Sequence, residues 1–402
     1  MIQLLLMEKQ LLQMSSMVNS KIWLSSPHIG TNELQYVNEA FATNWIAPLG
    51  PHVNAFEQGL QVRTKSSHAA ALSSGTSAIH LALILLEVKV GDTVFCQSIT
   101  FSASANPIAY QGAIPVFIDS EIDTWNMDPV LLRSALEEAK QNGKLPKAII
   151  PVHLYGMPAK MVEILSIANE YGVPVIEDAA EALGSNIDNK ACGSFGEFGV
   201  LSFNGNKIIT TSGGGALLSE NAEMIEKVRF LATQARDYAP HYQHSHIGYN
   251  YRMSNVLAGI GRGQLEVLDD RVEARRNNFE RYKKYFSKHN NAGFTIKFQE
   301  APLGYYSNRW LTCILIDPAL NNGLTREIIR LALEEENIES RPLWKPMHQQ
   351  PIFADCKSYL NGVSDKLFED GLCLPSGSNL TEEEFDRIFE SLDHIFAKYQ
   401  NN

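Results

Sequence analysis

Cysteine is scarce in this sequence, and the positions of the few that occur exclude several classes of protein. Five are scattered among 402 residues, at Cys96, Cys192, Cys313, Cys356 and Cys373. An odd number without a recurring spacing indicates neither a disulfide framework nor a zinc site. His241, His244 and His246 are close together, but no cysteine or carboxylate cluster accompanies them, so no metal site is predicted. A reducing cytoplasm is the expected compartment.

Positive charge and long apolar runs are also lacking. The chain has 34 lysines and arginines against 45 acidic residues, a formal net charge of -11. General nucleic-acid binding needs a basic face and is not expected, although a few local basic residues would suffice for one anionic substrate. The apolar start, residues 1–7, is interrupted by Glu8 and Lys9 before it reaches the length of a signal peptide. No later run is long enough to span a bilayer, so no membrane association is predicted.

The sequence does contain a regular alternation of short apolar runs with helical patterns. Strands are predicted over four β-branched or apolar runs, which are Thr93–Cys96, Pro115–Asp119, Ala148–Val152 and Val173–Glu177. Helices are predicted over Ser102–Tyr110 and Met161–Tyr171. This alternation is typical of a mainly parallel sheet with helices on both faces, and therefore of the α/β class.

The length of the chain indicates more than one domain. With 402 residues, of which 45% are hydrophobic, it has room for a large core and is expected to form two domains. From Val256 to Tyr285 the sequence is charged and amphipathic, which is typical of a helix that packs on two domains. We predict a large domain over residues 21–270 and a small C-terminal domain over residues 271–402. Residues 1–20 are predicted to be an N-terminal extension.

Lys207 lies in a setting that is unusual for a surface lysine. A strand-like run, Phe198–Phe203, precedes it, small polar residues surround it, and three glycines, Gly213–Gly215, follow. The glycines let the backbone approach a bound group closely. Lysine is the side chain that forms Schiff bases with carbonyl compounds, including pyridoxal phosphate. Taken alone, the pattern also fits a solvated loop lysine.

An aspartate upstream favours the cofactor interpretation of this lysine. Asp178 follows the predicted strand Val173–Glu177, and ligands of open α/β sheets bind beyond the carboxyl ends of strands. A carboxylate there can keep the nitrogen of a pyridine ring protonated, so that the ring acts as an electron sink. The commoner role of an aspartate after a strand, a helix N-cap, stays open.

A turn further upstream offers a phosphate site. Gly75, Thr76 and Ser77 stand directly before a helical pattern over Ala78–Leu86. Free backbone N–H groups and small hydroxyls at a helix N-terminus suit a phosphate, although the same residues could simply cap the helix. A phosphate turn, an aspartate and a lysine in this chain order together indicate a pyridoxal phosphate site more specifically than any of them does alone.

This combination resembles the DegT/DnrJ/EryC1/StrS family, sugar aminotransferases that act on nucleotide-linked keto sugars. The resemblance extends over nearly the whole chain from about Lys21. It implies the fold-type I architecture of pyridoxal-phosphate-dependent transferases, with a mainly parallel seven-stranded sheet in a large domain and a smaller α/β C-terminal domain. Three segments, Asn44–Gly50, Gly205–Gly215 and Arg341–Lys345, are similar to one branch, the UDP-4-amino-4,6-dideoxy-N-acetylglucosamine transaminases of the bacillosamine pathway.

The resemblance also assigns pyridoxal 5'-phosphate as cofactor and gives its contacts. Lys207 would carry it covalently, and Asp178 would contact its ring nitrogen. Phe101 would stack on the ring, unless it is a core residue. Glu181 is expected to contact the phenolic oxygen of the cofactor, and Ser202 its phosphate. Asn250 is expected to contact the phosphate of the cofactor bound to the neighbouring protomer. The last contact implies a homodimer with shared active sites.

A substrate site and a reaction are implied as well. Contacts to a nucleotide sugar are expected from two segments, Asn44, Trp45, Ile46 and Ala47, and Arg341, Pro342, Leu343 and Trp344. The second segment combines an arginine and an aromatic ring, which suits a nucleotide diphosphate but also fits a proline-constrained surface turn. L-glutamate is the expected amino donor, and C4 of UDP-4-keto-6-deoxy-N-acetylglucosamine is the expected acceptor.

Two alternative functions stay open. The first is the same chemistry on GDP-4-keto-6-deoxymannose, as in perosamine synthesis. The second is a catalytically silent, ligand-sensing protein with the same fold. Dehydratases of the family carry histidine in place of the lysine, so Lys207 weighs against that activity.

Overall fold

The computed structural model describes residues 20–400. The predicted extension, residues 1–20, lies outside the described residues except for Ser20. The helices are α1 (Glu33–Ala42), α2 (Pro51–Thr64), α3 (Gly75–Leu85), α4 (Asn106–Tyr110), α5 (Pro129–Gln141), α6 (Met161–Tyr171), α7 (Ala222–Ala232), α8 (Asn255–Glu266), α9 (Leu268–Asn291), α10 (Arg326–Glu335), α11 (Val363–Asp370) and α12 (Glu382–Tyr399). The strands are β1 (His68–Leu72), β2 (Thr93–Gln97), β3 (Ile114–Ile118), β4 (Ala148–Ile150), β5 (Ile176–Asp178), β6 (Asn186–Ile187), β7 (Lys190–Ala191), β8 (Phe198–Ser202), β9 (Gly215–Ser219), β10 (Ile296–Phe298), β11 (Tyr305–Tyr306), β12 (Thr312–Ile316), β13 (Arg341–Pro342), β14 (Ser358–Tyr359) and β15 (Gly371–Leu374).

The main sheet consists of two four-stranded sheets that lie side by side. Their orders are β1-β9-β8-β5 and β4-β2-β3-β14. Parallel bridges from Ile149 to Val175 and from Val152 to Asp178 join β4 to β5. The sheet is mainly parallel because only β9 runs against its neighbours, β1 and β8. Seven of its strands, β1 to β5, β8 and β9, precede residue 220, and β14 is added from the C-terminal part. The predicted α/β fold is confirmed.

Both faces of this sheet are covered, because successive residues of a strand point to opposite sides. In β1, Ala70 packs into a hydrophobic cluster that contains Ile79 of α3. The next residue, Ala71, belongs to a separate cluster that contains Phe56 of α2. The small alanine side chains of β1 allow helices to pack closely on either side.

The C-terminal part has its own antiparallel sheet, of order β10-β12-β15-β13. The buried residues on one face of this sheet form a cluster with side chains of α9, α10 and α12, whereas Cys313 and Cys373 on the other face belong to a separate cluster. Ile22 belongs to the first cluster and forms a bridge with Ile338, so the beginning of the described chain packs on the C-terminal part. The domain limits at residues 21–270 and 271–402 stay a prediction.

The amphipathic run predicted from Val256 to Tyr285 forms two helices. Helix α8 ends at Glu266 and α9 begins at Leu268, with Val267 between them. The Val267 N–H donates to the carbonyl of Gln264, three residues back, which is the tighter bond often found at a helix end. Leu268 is buried like Ala258 and Leu265 of α8, so hydrophobic periodicity alone does not reveal the break.

The parallel strands end at one common edge of the main sheet. Asp178 is the last residue of β5, and Ser202 is the last residue of β8. Phe101 follows the end of β2, and the C-terminal segment 339–345 faces the same edge across a cavity. In open α/β sheets this carboxyl edge is where ligands bind. Within residues 20–400, no helix is long and apolar enough to cross a membrane.

Candidate active site

A cavity of about 770 Å³ lies between the carboxyl edge of the main sheet and the C-terminal part. Most of the residues singled out in the sequence line it together. They are Gly75, Thr76, Phe101, Asp178, Glu181, Ser202, Lys207, Arg341, Pro342, Leu343 and Trp344. Residues far apart in sequence therefore meet at one place, as the cofactor interpretation requires.

The N-terminus of α3 forms one end of the cavity. Ser74 caps the helix by accepting a hydrogen bond from the Ser77 N–H at 3.0 Å, and the Ser77 hydroxyl reciprocates. Gly75 and Thr76 are the first residues of the helix and line the cavity, and the helix dipole there favours an anion. A Cβ on Gly75 would lie 3.3 Å from the Ser202 Cβ, so a side chain would narrow the space between helix and β8.

Ser77 itself has a different role from its neighbours. It is buried, and its hydroxyl donates to the Ser74 carbonyl oxygen at 2.7 Å. Ser73 and Ser74 line the cavity, whereas Ser77 is occupied by the capping box. A direct contact from Ser77 to a phosphate stays a prediction, and Ser73 is a cavity residue that sequence reasoning missed.

Asp178 is held rigidly in the cavity wall. Its Oδ2 accepts a hydrogen bond from the Ser104 hydroxyl at 2.6 Å, and its Oδ1 accepts one from the Ala180 N–H at 3.1 Å. The Ser104 hydroxyl is in turn within 2.7 Å of the Thr100 hydroxyl. Residues 179–185 form turns, so Asp178 does not cap a helix. Both oxygens accept hydrogen bonds, which fixes a carboxylate in one orientation.

Lys207 is not a solvated loop residue. Its side chain is 11% exposed, and its Nζ lies 3.0 Å from Oε1 of Glu181. The same Nζ lies 4.2 Å from the ring centroid of Trp310, which is within the range of a cation–π contact. The Trp310 indole N–H donates to the carbonyl of Asn206 at 2.7 Å, next to the lysine. Trp310 is a second residue that sequence reasoning missed.

Glu181 is a buried carboxyl group beside the lysine. Burial raises its pKa to about 7, although Lys207 and the Tyr155 N–H oppose the shift by favouring the carboxylate. The Tyr155 N–H donates to its Oε2 at 2.8 Å, so each oxygen has a partner. A group with such a pKa can hold or release a proton near neutral pH.

Aromatic rings line the mouth of the cavity. Phe101 is 57% exposed, so it is not a core residue, and its ring centroid lies 5.6 Å from that of Trp344. The Trp344 N–H donates to the Tyr155 hydroxyl at 2.9 Å, which fixes this part of the C-terminal segment. Arg341 remains largely exposed and pairs with Glu339 at 2.8 Å. Its Nε and Nη2 both donate to Glu339, and the guanidinium lies at the exposed rim of the cavity.

Two predicted sets of residues lie outside this cavity. Asn44 to Ala47 are exposed, and Trp45 lines a separate groove of about 1300 Å³. Asn250 is exposed and pairs with Thr233, which lines the same groove. Their predicted contacts to substrate and to cofactor phosphate would therefore have to be made to another protomer.

The groove that contains Trp45 has a charged floor. Glu57 is buried there and binds two arginines, Arg229 and Arg252, each at 2.8 Å. The Nε of Arg252 is buried and has no hydrogen-bond partner within residues 20–400. The Nη1 of Arg252 donates to Glu57 and to the Ala71 carbonyl.

The residues of the cavity fit pyridoxal phosphate. A helix N-terminus beside Ser202 suits the phosphate, a fixed carboxylate suits the ring nitrogen, and a buried lysine suits the aldehyde. The glycine at position 75 keeps open the space in which the phosphate would lie. Metal chemistry has no comparable support, because residues 20–400 contain no group of three or more histidine, cysteine or carboxylate side chains that could hold an ion.

Comparison with known proteins decides the family. The model of the DegT/DnrJ/EryC1/StrS aminotransferase family matches residues 27–393. The chain belongs to this family. EpsN of Bacillus subtilis (strain 168) is 57% identical over 94% of this chain and 97% of its own length. Its name describes it, provisionally, as a pyridoxal phosphate-dependent aminotransferase.

Other members of the family are similar over the same length. GDP-perosamine synthase of Caulobacter vibrioides is 35% identical over 94% of this chain and 99% of its own. The crystal structure of a DegT DnrJ EryC1 StrS aminotransferase from Brucella abortus is 30% identical, with a TM-score of 0.83 over 91% of this chain and 95% of that one. The chain is thus a pyridoxal-phosphate-dependent sugar aminotransferase of the fold-type I class.

Proposed function

We propose that this enzyme moves an amino group from L-glutamate to C4 of UDP-4-keto-6-deoxy-N-acetylglucosamine, in the cytoplasm. The observation that carries the proposal is that Lys207 and Asp178 share one cavity with the segment Arg341–Lys345. An arginine binds phosphate oxygens in pairs, and a tryptophan offers a face for a flat ring, which suits the nucleotide end of the substrate.

Each cavity residue has a proposed task. Bound pyridoxal phosphate supplies an electron sink for the carbon from which a proton is removed. Gly75, Thr76 and Ser202 hold its phosphate, and the Asp178 carboxylate keeps its ring nitrogen charged. Lys207 holds the cofactor covalently, and its Nζ, when free, takes the α-proton of glutamate and later delivers a proton to C4 of the sugar.

We also propose that two protomers share each active site. Asn250 and the segment Asn44–Ala47 are exposed and lie outside the cavity of their own chain. The groove beside Trp45 is flanked by exposed apolar side chains, including Ile46 and Leu49. A second copy of the chain seated on this surface would cover those side chains and bring Asn250 near the cofactor phosphate of its neighbour.

Mixing two inactive variants tests the shared site. Asn250→Ala should weaken cofactor retention, and Lys207→Ala should abolish turnover. If Asn250 acts on the partner, a mixed dimer contains one site with both residues intact, and random mixing should restore about a quarter of wild-type activity. Each variant remixed with itself is the control. Absence of rescue in verified mixed dimers would contradict an action of Asn250 across the interface.

A substrate panel tests the reaction. Purified enzyme is incubated with L-glutamate and with UDP-, GDP- or dTDP-linked 4-keto-6-deoxy sugars, and the amino sugar and 2-oxoglutarate are quantified. We expect the UDP-linked N-acetylated sugar to have the highest kcat/KM, by about tenfold or more, because a changed base or a missing acetamido group leaves polar groups unpaired. Equal or better use of another nucleotide sugar would reject the proposed substrate.

The perosamine-type reaction is the second candidate. It is favoured by the 35% identity to GDP-perosamine synthase of Caulobacter vibrioides over almost the full length of both chains. In that case, GDP-4-keto-6-deoxymannose would be the best substrate in the panel. A catalytically silent sensor would bind cofactor and a nucleotide sugar without forming any amino sugar, so product formation separates all three functions.

A further inference from the structure

The amine of Lys207 lies between two side chains that suit a positive charge. On one side, Oε1 of Glu181 is 3.0 Å from Nζ, and on the other the ring centroid of Trp310 is 4.2 Å away. Both partners are nearly inaccessible to solvent, with exposed fractions of 3% for Glu181 and 2% for Trp310. Contacts between a cation and a carboxylate or an aromatic face are stronger where water is excluded.

The two partners are held together by an asparagine. The Asn308 side-chain amide donates to the Glu181 carbonyl at 2.8 Å, and its Oδ1 accepts the Trp310 N–H at 2.9 Å. Position 156 must be glycine for this contact, since a Cβ on Gly156 would lie 1.9 Å from that oxygen and its φ is +91°. Asn308 therefore fixes the distance between Glu181 and Trp310, the two residues that contact the lysine amine.

Glu181 and Trp310 are each held by further contacts. The Tyr155 N–H donates to Oε2 of Glu181, and its ring is stacked on Trp310 with centroids 6.3 Å apart. Arg275 is fully buried and donates to the Trp310 carbonyl oxygen at 2.5 Å. These directed contacts hold Glu181 and Trp310 in place, and they therefore hold the two groups that contact the lysine amine.

We propose that Glu181 and Trp310 form a dock, which holds the Lys207 amine as an ammonium whenever that amine is not covalently bonded. The inference rests on the proposed function, in which Lys207 alternates between a covalent bond and a free amine. In the dock, a proton taken up by Nζ is stabilised by the carboxylate and the ring. The proton then stays in the cavity until Nζ donates it. Glu181 and Trp310 are both catalytic residues in this account, because each contacts the reacting nitrogen.

Other ionisable groups face the dock and must stay constant in any test. Asp178, Tyr155 and Cys313 interact with Glu181 within the cavity wall. Glu339, Arg341 and Lys345 line the opposite wall. Substitutions at Glu181 or Trp310 leave all of them in place, so a changed behaviour of Lys207 would be due to the removed contact.

The test uses cofactor-free protein and measures the reactivity of the lysine. Acetic anhydride attacks a neutral amine but not an ammonium, and peptide mass spectrometry reports labelling of Lys207 relative to the exposed Lys89. At pH 8, above the pKa of about 7 that burial gives Glu181, we expect Glu181→Gln to label about tenfold faster than wild type, because a nearby opposite charge favours the ammonium. Trp310→Phe should label about threefold faster, since a smaller ring gives a weaker cation–π contact.

A matched variant and the pH profile control this experiment. Trp125→Phe makes the same change in the hydrophobic cluster that contains Trp310, but Trp125 does not line the cavity. Its labelling should equal that of wild type. Loss of the dock should move the plot of Lys207 labelling rate against pH to lower pH. A cavity that is merely more open would instead raise the labelling rate equally at every pH, and that result would overturn the proposal.

The remaining outcomes are also decisive. An unchanged profile in folded Glu181→Gln would overturn the dock, and an unchanged profile in Trp310→Phe would remove the ring from it. If Glu181→Gln does not fold, the comparison of Trp310→Phe with Trp125→Phe decides the matter. Borohydride reduction of the holoenzyme followed by peptide mapping tests separately whether Lys207 carries the cofactor, so the proposed function and the dock can fail independently.

Discussion

Replacing Lys207 by alanine should lower the multiple-turnover rate by about 10⁴-fold or more, because it removes both the covalent attachment point and the group that moves the proton. The side chain lies in a preformed cavity and is not part of a hydrophobic cluster, so the variant should remain folded. Amino-sugar formation from L-glutamate is measured directly. The wild-type holoenzyme should also show an absorbance band at ~420 nm, which is typical of the conjugated cofactor. Lys207→Ala should lack this band.

Two further variants separate chemistry from charge. Lys207→Arg retains a cation beside Glu181 but has no amine that can bond covalently, so it should be as inactive as the alanine variant. Lys160→Ala removes a lysine that pairs with Glu121 at 2.8 Å outside the cavity, and it should retain nearly full activity. Substantial turnover by Lys207→Ala, or a borohydride adduct mapped to a different lysine, would disprove the assigned role.

The sequence predicts those parts of the site that lie within one continuous segment. Asp178 could be recognised because a buried strand ends there, and Lys207 because glycines and small polar residues surround it. The turn at Gly75 and Thr76 could be recognised because a helical pattern follows it. In each case neighbours along the chain indicate the backbone conformation, but each pattern alone also fitted a structural role, and only the three together with the family resemblance favoured a cofactor site.

Contacts between distant segments could not be predicted in this way. Ser104, which orients Asp178, is separated from it by 74 residues. Asn308, which donates a hydrogen bond to the Glu181 carbonyl, is separated from it by 127 residues. Trp310 reaches Lys207 from the C-terminal part, within a strand-like run whose pattern indicates only burial. Such residues act through tertiary packing, for which a single sequence has no periodic signal.

The structure also refines some sequence-based interpretations. Ser77 and the residues before it were expected to act together on a phosphate, but the capping box separates their roles, since the Ser77 hydroxyl turns inward. The helical run after Val256 is interrupted at Val267, although apolar side chains are buried on both sides of the break. In both cases the composition indicated a helix, and neither the direction of one hydroxyl nor the position of the break could be obtained from it.

Replacing Asp178 by asparagine should lower kcat by about 10²- to 10³-fold, the usual cost of losing one directed electrostatic contact in a site. Asparagine has nearly the same shape, and its single side-chain oxygen can still accept the Ala180 N–H bond, whereas its NH2 group would face the Ser104 hydroxyl as a donor. It has no negative charge, however, and would leave the ring nitrogen of the cofactor without a counterion. Steady-state kinetics with L-glutamate and the best sugar of the panel measure the effect.

Ser104→Ala is the matched control for this variant. It keeps the Asp178 charge but removes the 2.6 Å hydrogen bond that orients Oδ2, so the loss in kcat should be about tenfold or less. If Asp178→Asn retained more activity than Ser104→Ala, orientation by Ser104 would outweigh the charge, and Asp178 would not be the counterion of the ring. If both variants were equally impaired while cofactor binding stayed normal, the two residues would act as one unit through their hydrogen bond.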